Sequence, residues 1–186
     1  IRLIDFDGKV DERFSYELGA SNLAHWSPNS KILLYTHFTT TSTELALQPV
    51  DRPQARLLRF PREIQPMGGS WGPDGEEILV TVMKEGNSDI FRYQLKTGEM
   101  FPLVKWPSLE TSPAWSPDGQ TIAFVSDRQR FRQPGIYLYD IESREVKSLP
   151  FKGKYSSAPR WSPNGRQLLF EAQQEKYFQI FKYNLD

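Results

Sequence analysis

Four tryptophans open the same short phrase, and the distance between them constrains the fold more than any other feature of the chain. The phrases are Trp26-Ser27-Pro28-Asn29, Trp71-Gly72-Pro73-Asp74, Trp115-Ser116-Pro117-Asp118 and Trp161-Ser162-Pro163-Asn164, at spacings of 45, 44 and 46 residues. A repeat of this length is a single supersecondary unit that cannot bury its own apolar face and must stack on its neighbours. The period is that of a four-stranded propeller blade. Turn chemistry agrees. Proline presets φ for the first corner of a type I turn, and Asp or Asn suits the second. The glycine that follows in three copies (Gly75, Gly119 and Gly165) accepts the left-handed conformation. The first copy has Ser30 there, so its turn is expected to be strained or built differently.

After each turn comes an apolar run: Ile32-Leu33-Leu34-Tyr35, Ile78-Leu79-Val80, Ile122-Ala123-Phe124-Val125 and Leu168-Leu169-Phe170. Such runs suit a second strand buried on both faces between adjacent blades. A third strand follows at Glu44–Gln48, Ile90–Leu95, Ile136–Ile141 and Ile180–Leu185, and a fourth at Met100–Val104 and Glu145–Leu149. Ile1–Phe6 reads as another third strand, Asp7-Gly8 as a hairpin turn and Lys9–Phe14 as a fourth strand. The expectation is an all-β chain: a β-propeller of four-stranded antiparallel blades, an arc of about four blades cut from a ring of six. Its divisions are residues 1–15 (end of a preceding blade), 20–64, 65–109 and 110–154 (blades), and 155–186 (an incomplete blade). An arc of this kind exposes edges through which copies self-associate.

Composition narrows the function. Lysine plus arginine total 23 and so do aspartate plus glutamate, which speaks against a nucleic-acid binder with its basic excess. No cysteine is present, so disulfides, thiolate zinc sites and cysteine nucleophiles are excluded, and His25 and His37 offer little for a metal cluster. No apolar run approaches the roughly 18 residues of a membrane helix, so no direct membrane insertion is expected. The chain opens on Ile1-Arg2-Leu3-Ile4, which alternates like a strand; it is expected to be processed or to be part of something longer.

Thr111-Ser112-Pro113-Ala114-Trp115-Ser116-Pro117-Asp118-Gly119, then Ile122 to Arg128, then Gly135-Ile136-Tyr137, resembles the repeat of the TolB propeller family. Those are periplasmic proteins of the bacterial Tol-Pal system. Ile1 to Gly8 resembles the hairpin with which that family enters its propeller, and Phe60-Pro61-Arg62 and Gly153-Lys154-Tyr155 are similar to its loops between blades. The likeness runs along the whole chain in order. The family's N-terminal α/β domain and part of its six-bladed ring are not represented. Gly72 in place of the usual serine, and Asn29-Ser30 in place of Asp-Gly, are departures at turn positions.

The resemblance implies a periplasmic, non-enzymatic scaffold without a cofactor, docking a protein partner such as the lipoprotein Pal at the channel mouth. It places that partner against residues just ahead of each signature tryptophan: Gln65 and Gly68, Thr111 and Ser112, Tyr155 and Ser156. On the residues alone, small side chains there are equally explained by inner strands crowding a channel. Two other readings place the same repeat in a substrate-gating accessory propeller of a serine peptidase, or in the sensor propeller of a membrane-anchored regulator.

Other motifs read as structure. Gly68-Gly69-Ser70-Trp71-Gly72 matches a nucleophile elbow, but that motif needs a strand-turn-helix, and strands lie on both sides here. Asp5-Phe6-Asp7-Gly8 is short of the six or more oxygens of a calcium loop and reads as an Asx-assisted turn. The cluster Arg128-Gln129-Arg130-Phe131-Arg132 could hold an acidic partner or single-stranded nucleic acid, and reads first as a solvated loop. Structural roles are expected for His25 and His37. Trp26, Trp71, Trp115 and Trp161 are expected to pack between blades. Trp106 stands outside the register and either folds back on its own blade or anchors a contact.

Overall fold

Each signature tryptophan is the last residue of the first strand of a sheet, and the rest of the architecture follows from that placement. The computed structural model describes all residues except 5, 6, 8, 9, 14–18, 53, 151, 152 and 186. A hairpin of β1 (Arg2–Ile4) and β2 (Val10–Arg13) comes first. The first full sheet is β3 (Ala20–Trp26), β4 (Ile32–Phe38), β5 (Thr43–Pro49) and β6 (Arg56–Leu57). The second is β7 (Gln65–Trp71), β8 (Glu77–Lys84), β9 (Asn87–Gln94) and β10 (Met100–Val104). The third is β11 (Glu110–Trp115), β12 (Thr121–Ser126), β13 (Gly135–Asp140) and β14 (Val146–Ser148). The fourth is β15 (Tyr155–Trp161), β16 (Gln167–Gln174) and β17 (Tyr177–Asn184). Every sheet is an antiparallel meander, and the described residues contain no helix. The first strands β3, β7, β11 and β15 touch in succession, so they form the inner wall of a β-propeller.

The turn after each tryptophan is made as its residues dictate. The N–H of Gly119 donates to the Ser116 carbonyl at 3.0 Å, closing the turn, and the N–H of Thr121 donates to Ser116 Oγ at 2.9 Å. Ser30 closes its own turn onto the Ser27 carbonyl at 2.8 Å with φ of 56°, so the first copy has the same turn held in a left-handed conformation that a side chain resists. Gly72 also has a local reason. A Cβ there would stand 3.1 Å from Glu77 Cγ, and Glu77 is held in place by Arg92 (2.6 Å) and Gln94 (3.0 Å).

The core lies between blades. Trp71, Ile78 and Val80 of the second blade pack with Leu34, Leu45 and Leu47 of the first. Trp115, Ile122 and Phe124 of the third pack with Leu79 and Ile90 of the second. Leu168 and Phe170 of the fourth, with Trp161 partly buried beside them, pack with Ala123, Val125 and Ile136 of the third. Each fully buried aliphatic or aromatic side chain contributes about 1.5–3 kcal/mol.

Two expectations require correction. Trp26 does not seal a blade interface: it is 47% exposed, while Trp71 and Trp115 are each 8% exposed. On that side the first blade meets Ile1 and Leu3, which cover Leu33, Tyr35 and Ala46 and leave the tryptophan open. The apolar run of the fourth blade is not buried on both faces either, since Leu169 is exposed along with Phe178 and Ile180 on β17. Of the motif Asp5-Phe6-Asp7-Gly8, all but Asp7 lies outside the described residues, and so does the choice between a calcium loop and an Asx turn.

Candidate functional site

All four inner strands break register at the same place, three residues before the tryptophan. The shifts fall between Asn22 and His25, Met67 and Gly69, Thr111 and Ala114, and Ser157 and Arg160. At the centre of each bulge stands a left-handed residue: Leu23 (φ 54°), Gly68 (60°), Ser112 (51°) and Ala158 (50°). Only one is glycine, and the other three cost about 1–2 kcal/mol each. A bulge of this kind bends its strand and re-aims the neighbouring side chains. Here the four meet around one central cavity of about 100 Å³.

His25 and Arg160, from the first and last inner strands, reach toward each other across that cavity with Nη2 and Nε2 3.1 Å apart. Burial and then the Arg160 charge push the His25 imidazole down to about 4, so it is neutral at pH 7 and its Nε2 accepts from the guanidinium. Burial also lowers Arg160. His25 is therefore more than a packing residue: it links blades far apart in sequence, and its carbonyl accepts the Trp71 indole N–H at 3.1 Å. His37 is buried, with Nδ1 3.0 Å from Ser21 Oγ.

A wider groove of about 660 Å³ opens where the inner strands begin, bordered by loops of the second and third blades and by Tyr155. Two buried carboxyls hold its rim. Asp127 accepts the N–H of Leu109 at 3.0 Å through one oxygen and that of Arg132 at 3.2 Å through the other, tying two loops together. Glu110 accepts from Ser126 Oγ at 3.1 Å, from Ser108 Oγ at 2.5 Å and from the Trp106 N–H at 3.3 Å. Burial raises the pKa of Glu110 despite those bonds. Trp106 is folded back, with its ring 5.9 Å from Phe124 and the Arg128 guanidinium 3.8 Å above it. The arginine loop is exposed to solvent but held by these bonds.

The six residues expected to meet a partner do not share one surface. Thr111 and Tyr155 line the groove; Gly68, Thr111 and Ser112 line the central cavity; Gln65 is exposed at the start of β7. Ser156 lies on neither. It is 2% exposed, with its N–H bonded to the Pro134 carbonyl at 2.8 Å, at the edge of a separate pocket beside Pro134 and Gly135. Leu23, Ala158, His25 and Arg160 belong to the same channel wall but were not singled out from the sequence for it. Counting three residues back from each tryptophan would have found Leu23 and Ala158. Ser70 sits inside β7 opposite Leu79, and its Oγ accepts the Trp115 N–H at 3.0 Å, a bond between blades. Among the described residues no three His, Asp or Glu side chains are grouped as metal ligands.

The model of the TolB beta propeller domain matches residues 1–186. The Tol-Pal system protein TolB of Alcanivorax borkumensis is 31% identical over 102 residues, 54% of this chain and 24% of that protein. Its counterpart in Francisella tularensis subsp. mediasiatica is 27% identical over 80 residues, 43% of this chain and 18% of that protein. The crystal structure of TolB from Acinetobacter baumannii superposes with a TM-score of 0.86 at 22% identity, covering 99% of this chain and 46% of that one. A puromycin hydrolase (TM-score 0.68, 17% identity, 87% of this chain and 26% of that one) shares the fold alone. The matches thus span less than half of each TolB relative described here.

Proposed function

Because the chain belongs to the TolB β-propeller domain family, we propose that it is a non-enzymatic docking scaffold which receives a protein partner at the channel mouth. By likeness to its relatives, the setting is the periplasm, the ring has six blades, and the partner is a Pal-type lipoprotein of the Tol-Pal system. The observation that carries this reading is the groove itself: loops from two blades, with Tyr155 of a third, converge on one opening, and their backbones are pinned by buried Asp127 and Glu110. Loops on a rigid scaffold are where binding residues concentrate. Shape and hydrogen bonding then supply the affinity.

The test is capture of the partner from envelope extract, followed by titration of wild type, Thr111→Arg and Tyr155→Ala. Each substitution should weaken binding by about 1 kcal/mol or more, as for a contact of moderate weight. Melting temperatures should fall little. Unchanged affinity in both variants would place the docking face elsewhere.

A further inference from the structure

The rim of the groove combines two features that composition hides. The chain as a whole is neutral, yet Arg128, Arg130 and Arg132 fall within five residues of one loop. Ion pairs among the described residues are Arg92–Glu77 and Lys147–Glu145, so none of the three has a carboxylate partner among those residues. Asp127 keeps its charge beside them but makes no ion pair with any of the three, because it is buried and both its oxygens accept backbone N–H groups. Among these arginines stands Phe131, 78% exposed, and Leu109 and Tyr155 also present exposed apolar surface to the groove. The Arg132 guanidinium stands 5.2 Å from the Phe131 ring centroid, and three apolar side chains this open around one groove form a patch suited to being covered.

We propose that this rim reads an acidic polypeptide segment carrying an apolar anchor. The inference rests on the mouth being the docking face, and adds the chemistry of what docks there. Arg128 stands over the Trp106 ring with its guanidinium carbon 3.8 Å from the ring centroid, and its N–H groups would hold a carboxylate with two parallel bonds. Arg130 and Arg132 extend the positive rim, and the loop bends through a left-handed Arg132 (φ 59°) held by Asp127. The anchor enters between Leu109, Phe131 and Tyr155. A protein segment fits better than nucleic acid. The chain carries no basic excess, and the groove wall includes Pro107, Val125 and Pro134, which have no side-chain donor for a phosphate.

Fluorescence anisotropy with the full chain tests this, using a short labelled peptide of Glu and Leu residues with one central Phe. The same peptide with Gln for Glu, and single-stranded oligothymidine, serve as rival probes. The acidic peptide should bind best and weaken as salt is added. The double variant Arg130→Gln/Arg132→Gln, and separately Phe131→Ser, should each lower its affinity about tenfold, the size of a lost charge-assisted bond or buried anchor. All three residues are exposed, so folding should survive. Equal binding of the Gln peptide, tighter binding of oligothymidine, or indifference of the variants would overturn the proposal. The envelope partner separates the two ideas. If it is lost with Thr111→Arg and Tyr155→Ala but not with the arginine variants, the docking reading stands and this inference falls. If no envelope partner is captured while the peptide still binds through the arginines, the Pal-type partner falls and the acidic-segment inference stands.

Discussion

Trp26 and Trp115 begin the same phrase and end the same kind of strand, yet one is 47% exposed and the other 8%. The turns that follow them are alike, down to the serine hydroxyl that accepts a strand N–H at 2.9 Å in both. What differs is the neighbour. Trp115 closes on Leu79 and Ile90 of the blade before it, whereas the side of the first blade nearest Trp26 carries the hairpin residues Ile1 and Leu3. The phrase by itself specifies a turn and a strand end. Burial of its tryptophan is a property of two blades together.

Truncating both rings separates the two tryptophans most strongly. Trp115→Ala should cost about 3–5 kcal/mol, as for a large buried aromatic. Trp26→Ala should cost no more than about 1 kcal/mol. Urea unfolding of both variants decides it, and equal losses would mean that Trp26 is sealed in solution.

A second contrast lies one residue earlier, where the first copy has His25 and the third has Ala114. His25 titrates at about 4 when folded and near 6.5 when unfolded, so between those values the unfolded chain binds more protons. Stability is therefore full above about pH 6.5 and falls as pH drops toward 4, by about 1–3 kcal/mol. His25→Gln should flatten the decline between pH 6.5 and about 5, above the range where most carboxylates titrate. A slope unchanged by that substitution would show that His25 is not its source.

The smallest effect concerns the turn corner. Ser30→Gly relieves a left-handed side chain and should stabilise by about 0.5–1 kcal/mol after the added freedom of the unfolded chain. Gly119→Ser should do the opposite by more, because its new Cβ would stand 3.0 Å from Pro73 Cγ of the preceding blade. Thermal melts of the pair should move in opposite directions.

Much of this was readable in advance, and the reason is locality. The period, the proline turns, the strain at Ser30 and the meander order all depend on residues within a few positions of one another. Ser70 was readable as structural because strands flank it, although its bond to the Trp115 N–H could not be foreseen. The burial of Ser156 was hidden for a related reason. Its small polar side chain suits a channel wall, but the Pro134 carbonyl, on a loop of another blade, closes over its backbone.

By itself, then, the sequence determined the blade unit, its repetition and the chemistry of each turn, because φ preferences and strand patterning act within the unit. Only the tertiary structure decided which surfaces those units share. It brought Leu23, Gly68, Ser112 and Ala158 to one level of the channel, set His25 beside Arg160 across 135 positions of chain, and joined the Leu109 loop to the arginine loop through Asp127. Each of these depends on how far blades rotate about a common axis, and packing between neighbouring blades sets that rotation.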